Sequence, residues 1–391
     1  MSARFAALVA ASLGFGACAS EPHVVPGPPI PQPPPAGVER VVIIVGDPGE
    51  ARAETHPILH HMRDQVEYWT RTIGRDSAVA VIVVGDIIYP NGMHDPTDRE
   101  DFPLDSAIVT DQLDIVSGPL ARERHIPMYF LAGNHDWGKE QHEEGVSTLQ
   151  NLDEFLAAHR AVGINSRLVP AAGEPGPAVI DDGPLRFIFL DTAWWLLQSR
   201  GNQGEVMIDG IEGAMRTARG RHVVIVGHHP FMSGGPHGGQ LSILEGLGIG
   251  FLLKRSGAIL QDLNSPPYRR LRAEMGRLFE EVGQPMLWAA GHEHSLQLIE
   301  ARAGDEPRWS MVSGSASKIT HVAETPGMRY HLSAPGYFML LVRTDGTVDA
   351  VAYAAPAEDA VCEHRDEELR AACMAAGLAA FQPRYSQRLT D

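Results

Sequence analysis

Six short apolar runs in this chain each break at once into residues that can hold ions or move protons. The junctions read Val45-Gly46-Asp47-Pro48-Gly49, Val84-Gly85-Asp86-Ile87-Ile88-Tyr89, Ala132-Gly133-Asn134-His135-Asp136, Phe189-Leu190-Asp191-Thr192, Val226-Gly227-His228-His229-Pro230 and Ala290-Gly291-His292-Glu293-His294. No thiol lies near any of them, which excludes a cysteine-rich zinc site. Imidazole and carboxylate together suit Zn, Fe, Mn or related ions. If the runs are strands of one α/β sheet system, their carboxyl ends open on a common crevice. Carboxylates and imidazoles crowded there without compensation would be destabilised, and bound cations relieve that cost. Two aspartates, three histidines, an asparagine carbonyl and a phenol exceed what one ion can use. They suit a pair, especially if one carboxylate bridges it. A phenol of ordinary pKa about 10 ionises only beside a strong Lewis acid, and phenolate suits a trivalent ion such as Fe(III).

The elements that must position these groups follow from the same pattern. The runs Val41–Val45, Val79–Val84, Met128–Leu131, Phe187–Leu190, Val223–Val226 and Met286–Ala290 are continuously apolar, as strands buried on both faces are. Helical periodicity lies between several of them, over His56–Ile73 and Pro267–Val282. The alternation predicts an α/β fold with a largely parallel inner sheet. Near the end, Gly336–Tyr353 carries a Thr344-Asp345-Gly346 turn between alternating runs and predicts a β-hairpin. The Gly-rich segment 231–266 has no clear element and predicts a rim or lid.

Composition bounds the partners. A net charge of −17 repels nucleic acid and anionic membrane, so a phosphate-handling site needs local positive charge, which metal supplies. Residues 1–17 have Arg4 and an apolar stretch too short to span a bilayer, as in a bacterial signal peptide. Cys18 follows Gly16-Ala17 and predicts a lipid-anchored exported protein, periplasmic or on the cell surface, with soluble export as the alternative. Residues 18–38 hold that cysteine and a Pro-rich tether, with eight prolines in 21–37. The folded domain is expected over 39–355, followed by a tail over 356–391. Cys362 and Cys373, eleven apart in an exported chain, suit one disulfide or two thiols on one helix.

Taken in order, Asp47-x-Gly49, Gly85-Asp86-x-x-Tyr89, Gly133-Asn134-His135-Asp136, Ile225-x-x-His228 and Gly291-His292-x-His294 resemble the five motifs of the calcineurin-like metallophosphoesterases. Tyr89 makes the set most similar to the purple acid phosphatases, and the resemblance covers about residues 40–355. It implies a four-layer αββα sandwich with mixed sheets and a dinuclear Fe(III)–M(II) centre, M being Fe, Zn or Mn. By the same resemblance, Asp47, Asp86, Tyr89 and His294 would hold the ferric ion. Asp86, as a bridge, would hold the divalent one with Asn134, His228 and His292. His237 stands nine residues after His228, where small members of the family place a substrate-facing histidine. Ile87 replaces the asparagine common in relatives, and the segment from His228 to His292 is longer than in the small members.

On this reading the two ions bind phosphate oxygens and acidify a water, whose hydroxide attacks phosphorus in line. His135 and His237 would stabilise equatorial charge and protonate the leaving oxygen, with Asp136 orienting His135. The expected activity is hydrolysis of small phosphate monoesters. Alternatives are a Zn- or Mn-dependent phosphodiesterase or nucleotide pyrophosphatase on the same fold, and a catalytically idle metal- or partner-binding lipoprotein. The oligomeric state is left open. Bland roles are expected elsewhere. Asp191 serves as a hydrogen-bonding strut, His229 makes a polar contact, and Trp194 and Trp195 pack or wall the cleft. His60-His61 lies at the surface, and Lys254-Arg255 and Arg269-Arg270 are solvated.

Overall fold

The protein is described by a computed structural model covering residues 26–138, 142–198, 203–238 and 263–390. Expectations for the signal peptide, for Cys18, for most of the Gly-rich segment and for Lys254-Arg255 lie outside the described residues.

Fourteen strands are described: β1 (Val38–Val45), β2 (Val79–Val84), β3 (Met128–Leu131), β4 (Ser166–Leu168), β5 (Ala178–Asp182), β6 (Leu185–Leu190), β7 (His222–Gly227), β8 (Leu287–Ala290), β9 (Leu296–Glu300), β10 (Trp309–Ser313), β11 (Met328–Leu332), β12 (Gly336–Arg343), β13 (Val348–Ala354) and β14 (Gln382–Arg388). They form two seven-stranded sheets, ordered β14-β13-β12-β1-β2-β3-β4 and β11-β9-β10-β8-β7-β6-β5. In the first, β1 to β4 run parallel and β12 to β14 add antiparallel. In the second, β6, β7, β8 and β10 run parallel, β5 and β9 pair antiparallel on either side of them, and β11 pairs antiparallel with β9. The sheets are therefore mixed, with parallel strands at the centre of each.

Side-chain alternation builds the layers. Val42 and Ile44 of β1 join Phe187, Phe189, Val224, Leu298 and Leu340 in an apolar layer between the sheets. Val41, Ile43 and Val45 face outward beneath helix α1 (Pro57–Ile73). Helices α2 (Phe102–Leu113), α3 (Pro119–Glu123) and α4 (His142–Ala161) follow in the first half of the chain, α1 packing on β1 and β2 and α4 on β4. Helices α5 (Thr192–Gln198), α6 (Gln203–Arg216) and α7 (Pro266–Val282) pack together over Ile188, Ile225 and Trp288 of the second sheet. The result is the αββα sandwich. Both faces of the central strands are covered, which is why their sequences read as unbroken apolar runs.

Two terminal segments differ from expectation. In the segment expected as a tail, residues 356–390 carry elements of the fold: helix α8 (Glu367–Ala380) packs on α1, and β14 pairs along β13, giving that edge a partner. Cys362 and Cys373 form a disulfide. The described end of the Pro-rich segment is likewise bound. Ile30 donates its N–H to Pro383, Arg384 donates to the Gly27 carbonyl, and the Tyr353 hydroxyl donates to Gln32.

The His60-His61 doublet also needs correction, because His61 is buried. It sits under α1 among the rings of Tyr337, Tyr353 and Phe381, with its Nδ1 2.9 Å from the Tyr337 hydroxyl. Burial pushes its pKa down from 6.5 to about 4. The neutral ring is the native form, so the unfolded chain binds the extra proton between those two values. Stability should be fully present above pH about 6.5 and fall toward pH 4, by about 3 kcal/mol from this one group. Thermal melts across that range should show His61→Gln with a shallower acid-side loss than wild type. An unchanged slope would refute the assignment.

Candidate metal centre

The carboxyl ends of the central parallel strands of both sheets meet at one pole. Asp47 follows β1, Asp86 follows β2, Asn134 follows β3, His228 follows β7, and His292 and His294 follow β8. Asp47, Asp86 and His292 all adopt the left-handed region, at φ of 60°, 54° and 67°. Non-glycine residues rarely accept that conformation, and its clustering at polar strand ends marks a site that the surrounding fold enforces. Gly85 and Gly133 make the turns possible. A Cβ on Gly85 would collide with the His228 ring, and one on Gly133 with Asp86.

Two sets of donor atoms result. In the first, the Tyr89 hydroxyl lies 3.2 Å from Asp47 Oδ1 and 3.2 Å from His294 Nε2, and His294 Nε2 lies 3.5 Å from Asp47 Oδ1. In the second, Asn134 Oδ1 is 3.0 Å from His228 Nε2 and 3.2 Å from His292 Nδ1, and those two nitrogens are 3.3 Å apart. Around an ion with bonds of about 2.0–2.2 Å, neighbouring ligands stand about 3.0–3.5 Å apart, so both sets have metal-sized spacing. Asp86 touches both: its Oδ1 is 3.4 Å from His228 Nε2, and its carboxylate interacts with the Tyr89 hydroxyl. All seven residues expected to hold metal are thus brought together, with Asp86 in contact with both sets.

The electrostatics agree with this donor chemistry. Burial, then the charges of Asp47 and Asp86, push the Tyr89 phenol far above its ordinary pKa, so it needs a cation in order to ionise. Burial works against charge on His228 and His294, but the neighbouring aspartates outweigh it and raise both imidazoles. Protons are drawn to the place where the aspartates call for positive charge. His228 Nδ1 is 2.9 Å from the Val84 carbonyl and donates to it, so the ring presents Nε2 to the cluster.

The remaining candidates fall into place around these sets. His135 Nδ1 bonds the Pro90 carbonyl at 2.8 Å, and its Nε2 lies 4.0 Å from Asp86 Oδ2. The His237 ring lies 4.6 Å from that of His292. Asp136, expected to orient His135, has a different task. Its carboxylate accepts the N–H groups of Gly133, Ile87 and Ile88, clamping the turn after β3 to the turn that carries Asp86 and Tyr89. Asp191 is a strut between Trp137 Nε1 and the Trp194 N–H. Trp194 and Trp195 are both buried. His229 packs against His292 at 4.4 Å with its Nδ1 on Thr192 Oγ1, and it lies close enough to His228 and His292 to form a second possible grouping of three imidazoles.

Two neighbours escaped the sequence reading. Glu293 is buried beneath the turn that carries His237 and accepts from Ser233 Oγ at 3.2 Å; burial raises its pKa to about 7. Its place inside the Gly-His-x-His motif was the available signal. Lys318 Nζ lies 3.4 Å from the centre of the Tyr89 ring. Nothing in the spacing around Lys318 announces that contact.

No protein-family model matches the chain. It is 22% identical over 247 residues to Purple acid phosphatase 17 of Arabidopsis thaliana, a match spanning 61% of this chain and 58% of that protein. Purple acid phosphatase 3 of the same plant is 22% identical over 273 residues, spanning 67% and 62%. The matches thus span about three-fifths of these curated relatives. Among solved structures, the purple acid phosphatase PPD1 from yellow lupin (Lupinus luteus) seeds superposes with a TM-score of 0.50 at 15% identity, covering 82% of this chain and 52% of that one. GAP50, the anchor in the inner membrane complex of Plasmodium, also superposes with a TM-score of 0.50 at 15% identity, covering 87% and 95%. The structural likenesses show a shared αββα sandwich fold. Together with the sequence matches they support a relationship to the calcineurin-like metallophosphoesterases.

The shared position of Asp86 has a measurable consequence. Metal analysis of purified Asp86→Ala should show loss of both ions, whereas Asp47→Ala should keep the ion of the Asn134–His228–His292 set. Retention of two ions by Asp86→Ala would remove the bridge.

Proposed function

We propose that the chain is a metal-dependent phosphoric ester hydrolase of purple acid phosphatase type acting on small phosphate monoesters. In this reading Asp47, Asp86, Tyr89 and His294 hold Fe(III), and Asp86, Asn134, His228 and His292 hold a divalent Fe, Zn or Mn ion. The observation that carries it is the pair of metal-spaced donor sets joined at Asp86. A phenol in only one of the two sets favours unequal ions, because phenolate is a hard anionic ligand. Such a pair, when bound, supplies Lewis-acid charge to phosphate oxygens and a water acidic enough to act as nucleophile.

The chain's own residues then complete the chemistry. A carbonyl only accepts, so the Pro90 contact fixes the proton on His135 Nδ1 and leaves Nε2 facing the cluster. A protonated Nε2 is placed to donate to the leaving ester oxygen. His237, on the side of His292, adds a second imidazole where equatorial phosphate charge develops. Glu293 and Gln297 hold the turn that carries it, Gln297 Oε1 accepting the Gly234 N–H at 2.8 Å. The metals oppose the field of a chain whose net charge is −17. The same reading takes the protein as exported and lipid-anchored through Cys18, with no nucleic-acid partner.

The purified, metal-loaded protein should hydrolyse a chromogenic phosphate monoester and lose that activity when the metals are removed. His135→Ala should keep both ions and lose about 10²-fold or more in kcat. A full rate in that variant would refute the acid role. Iron-loaded protein should be coloured, and Tyr89→Phe should abolish the visible band; an active but colourless, iron-free preparation would favour a Zn or Mn phosphodiesterase instead.

A further inference from the structure

Lys318 lies in the segment that follows β10, at the metal pole but outside every motif that supplies a ligand. Its ammonium sits 3.4 Å from the centre of the Tyr89 ring, well within the distance of about 6 Å at which a cation is drawn to an aromatic face. Glu50 Oε1, 2.9 Å away, holds the ammonium from the solvent side. The backbone that carries it is fixed to the same strand ends that present the ligands. Ala316 donates its N–H to the Gly46 carbonyl at 3.3 Å, Ser317 Oγ donates to the Asp47 carbonyl, and Thr320 donates its N–H to the His294 carbonyl at 2.8 Å. Lysine is also a pointed choice, for Lys318 is the only lysine among the described residues, where arginine serves otherwise. A compact ammonium delivers its charge to one point on the ring, whereas a guanidinium spreads it over a plane.

We propose that Lys318 is a positioning residue for the metal centre whose fixed charge on the face of Tyr89 sets how strongly the phenol oxygen donates to the ion it holds. The inference rests on the reading that Tyr89 ligates a ferric ion. An ionised phenol spreads its negative charge into the ring, so a cation on the ring face lowers its filled orbitals. That widens the gap to the empty orbitals of a ferric ion and moves the phenolate-to-iron charge-transfer band to shorter wavelength. The same charge weakens donation and leaves the ion a stronger Lewis acid. Tuning of this kind is the work that groups around a metal's ligands do. The alternative roles, packing alone or contact with substrate alone, leave the band where it is.

The test compares visible spectra of iron-loaded wild type with Lys318→Met, Lys318→Gln and Lys318→Arg, alongside iron content and ester hydrolysis. The expected result is a band shifted to longer wavelength in both neutral variants at wild-type iron content, with Lys318→Arg returned toward the wild-type position. An unmoved band in the neutral variants overturns the inference and leaves the metal reading standing, even if KM for the ester changes. Loss of iron from both neutral variants also overturns it, since Lys318 would then hold the site together rather than tune it. If iron-loaded wild type shows no such band, or Tyr89→Phe retains it, the assignment of Tyr89 to iron fails and the inference fails with it.

Discussion

The carboxylate of Asp86 lies buried between two groups of donor atoms, and the rest of the pole is arranged around that fact. Left unpaired, a buried carboxylate costs several kcal/mol, and here a second one, Asp47, lies in the same cluster. Burial alone would raise the Asp86 pKa, but the His228 and His135 imidazoles overcome it and hold the carboxyl below its ordinary range. Among the described residues no arginine pairs with this concentration of charge, as arginines do at Asp181 and Asp349. The protein surrounds it with imidazole nitrogens, an amide oxygen and a phenol, groups that accept a cation. A site of that composition suits a bound cation.

The sandwich exists to keep that cluster rigid. Parallel strands from the middle of each sheet end at the same pole, and the ligand candidates stand within a few residues of those ends. A main-chain contact ties the two sheets together there, Gly46 donating to the Ser313 carbonyl at 2.7 Å, and Gly291 donates to the His228 carbonyl at 3.0 Å within the second sheet. Asp136 spans the turns after β2 and β3, and Asp47 Oδ2 accepts the His292 N–H at 2.9 Å across the sheets. Ligand candidates are thus oriented by groups that hold their backbone, which limits the conformations available before any ion arrives.

Much of this was legible in the sequence for a definite reason. A strand covered on both faces must be apolar throughout, so Val79–Val84 and its counterparts stand out, and a polar residue at their ends can only be at the rim of the sheet. The ligand candidates follow their strands within a few residues, and the hairpin of β12 and β13 carries its own turn chemistry. What was not legible depends on partners far away in the chain. His61 looks like half of a polar doublet until Tyr337, Tyr353 and Phe381 arrive from the other end and bury it. Asp136 sits beside His135 in sequence, yet the fold directs it to three backbone N–H groups instead. Lys318 meets Tyr89 across 229 positions (318 − 89), and β14 finds its place only because β13 offers an open edge.

The central claim is that Asp86 is shared by two cations of different kind. Anomalous diffraction from crystals of the metal-loaded protein, collected at the absorption edges of iron, zinc and manganese, tests it most directly. The account predicts two peaks flanking Asp86, with iron among Asp47, Tyr89 and His294, and the second ion among Asn134, His228 and His292. A single peak, or an ion seated instead among His228, His229 and His292 with Asp86 uncoordinated, would contradict it.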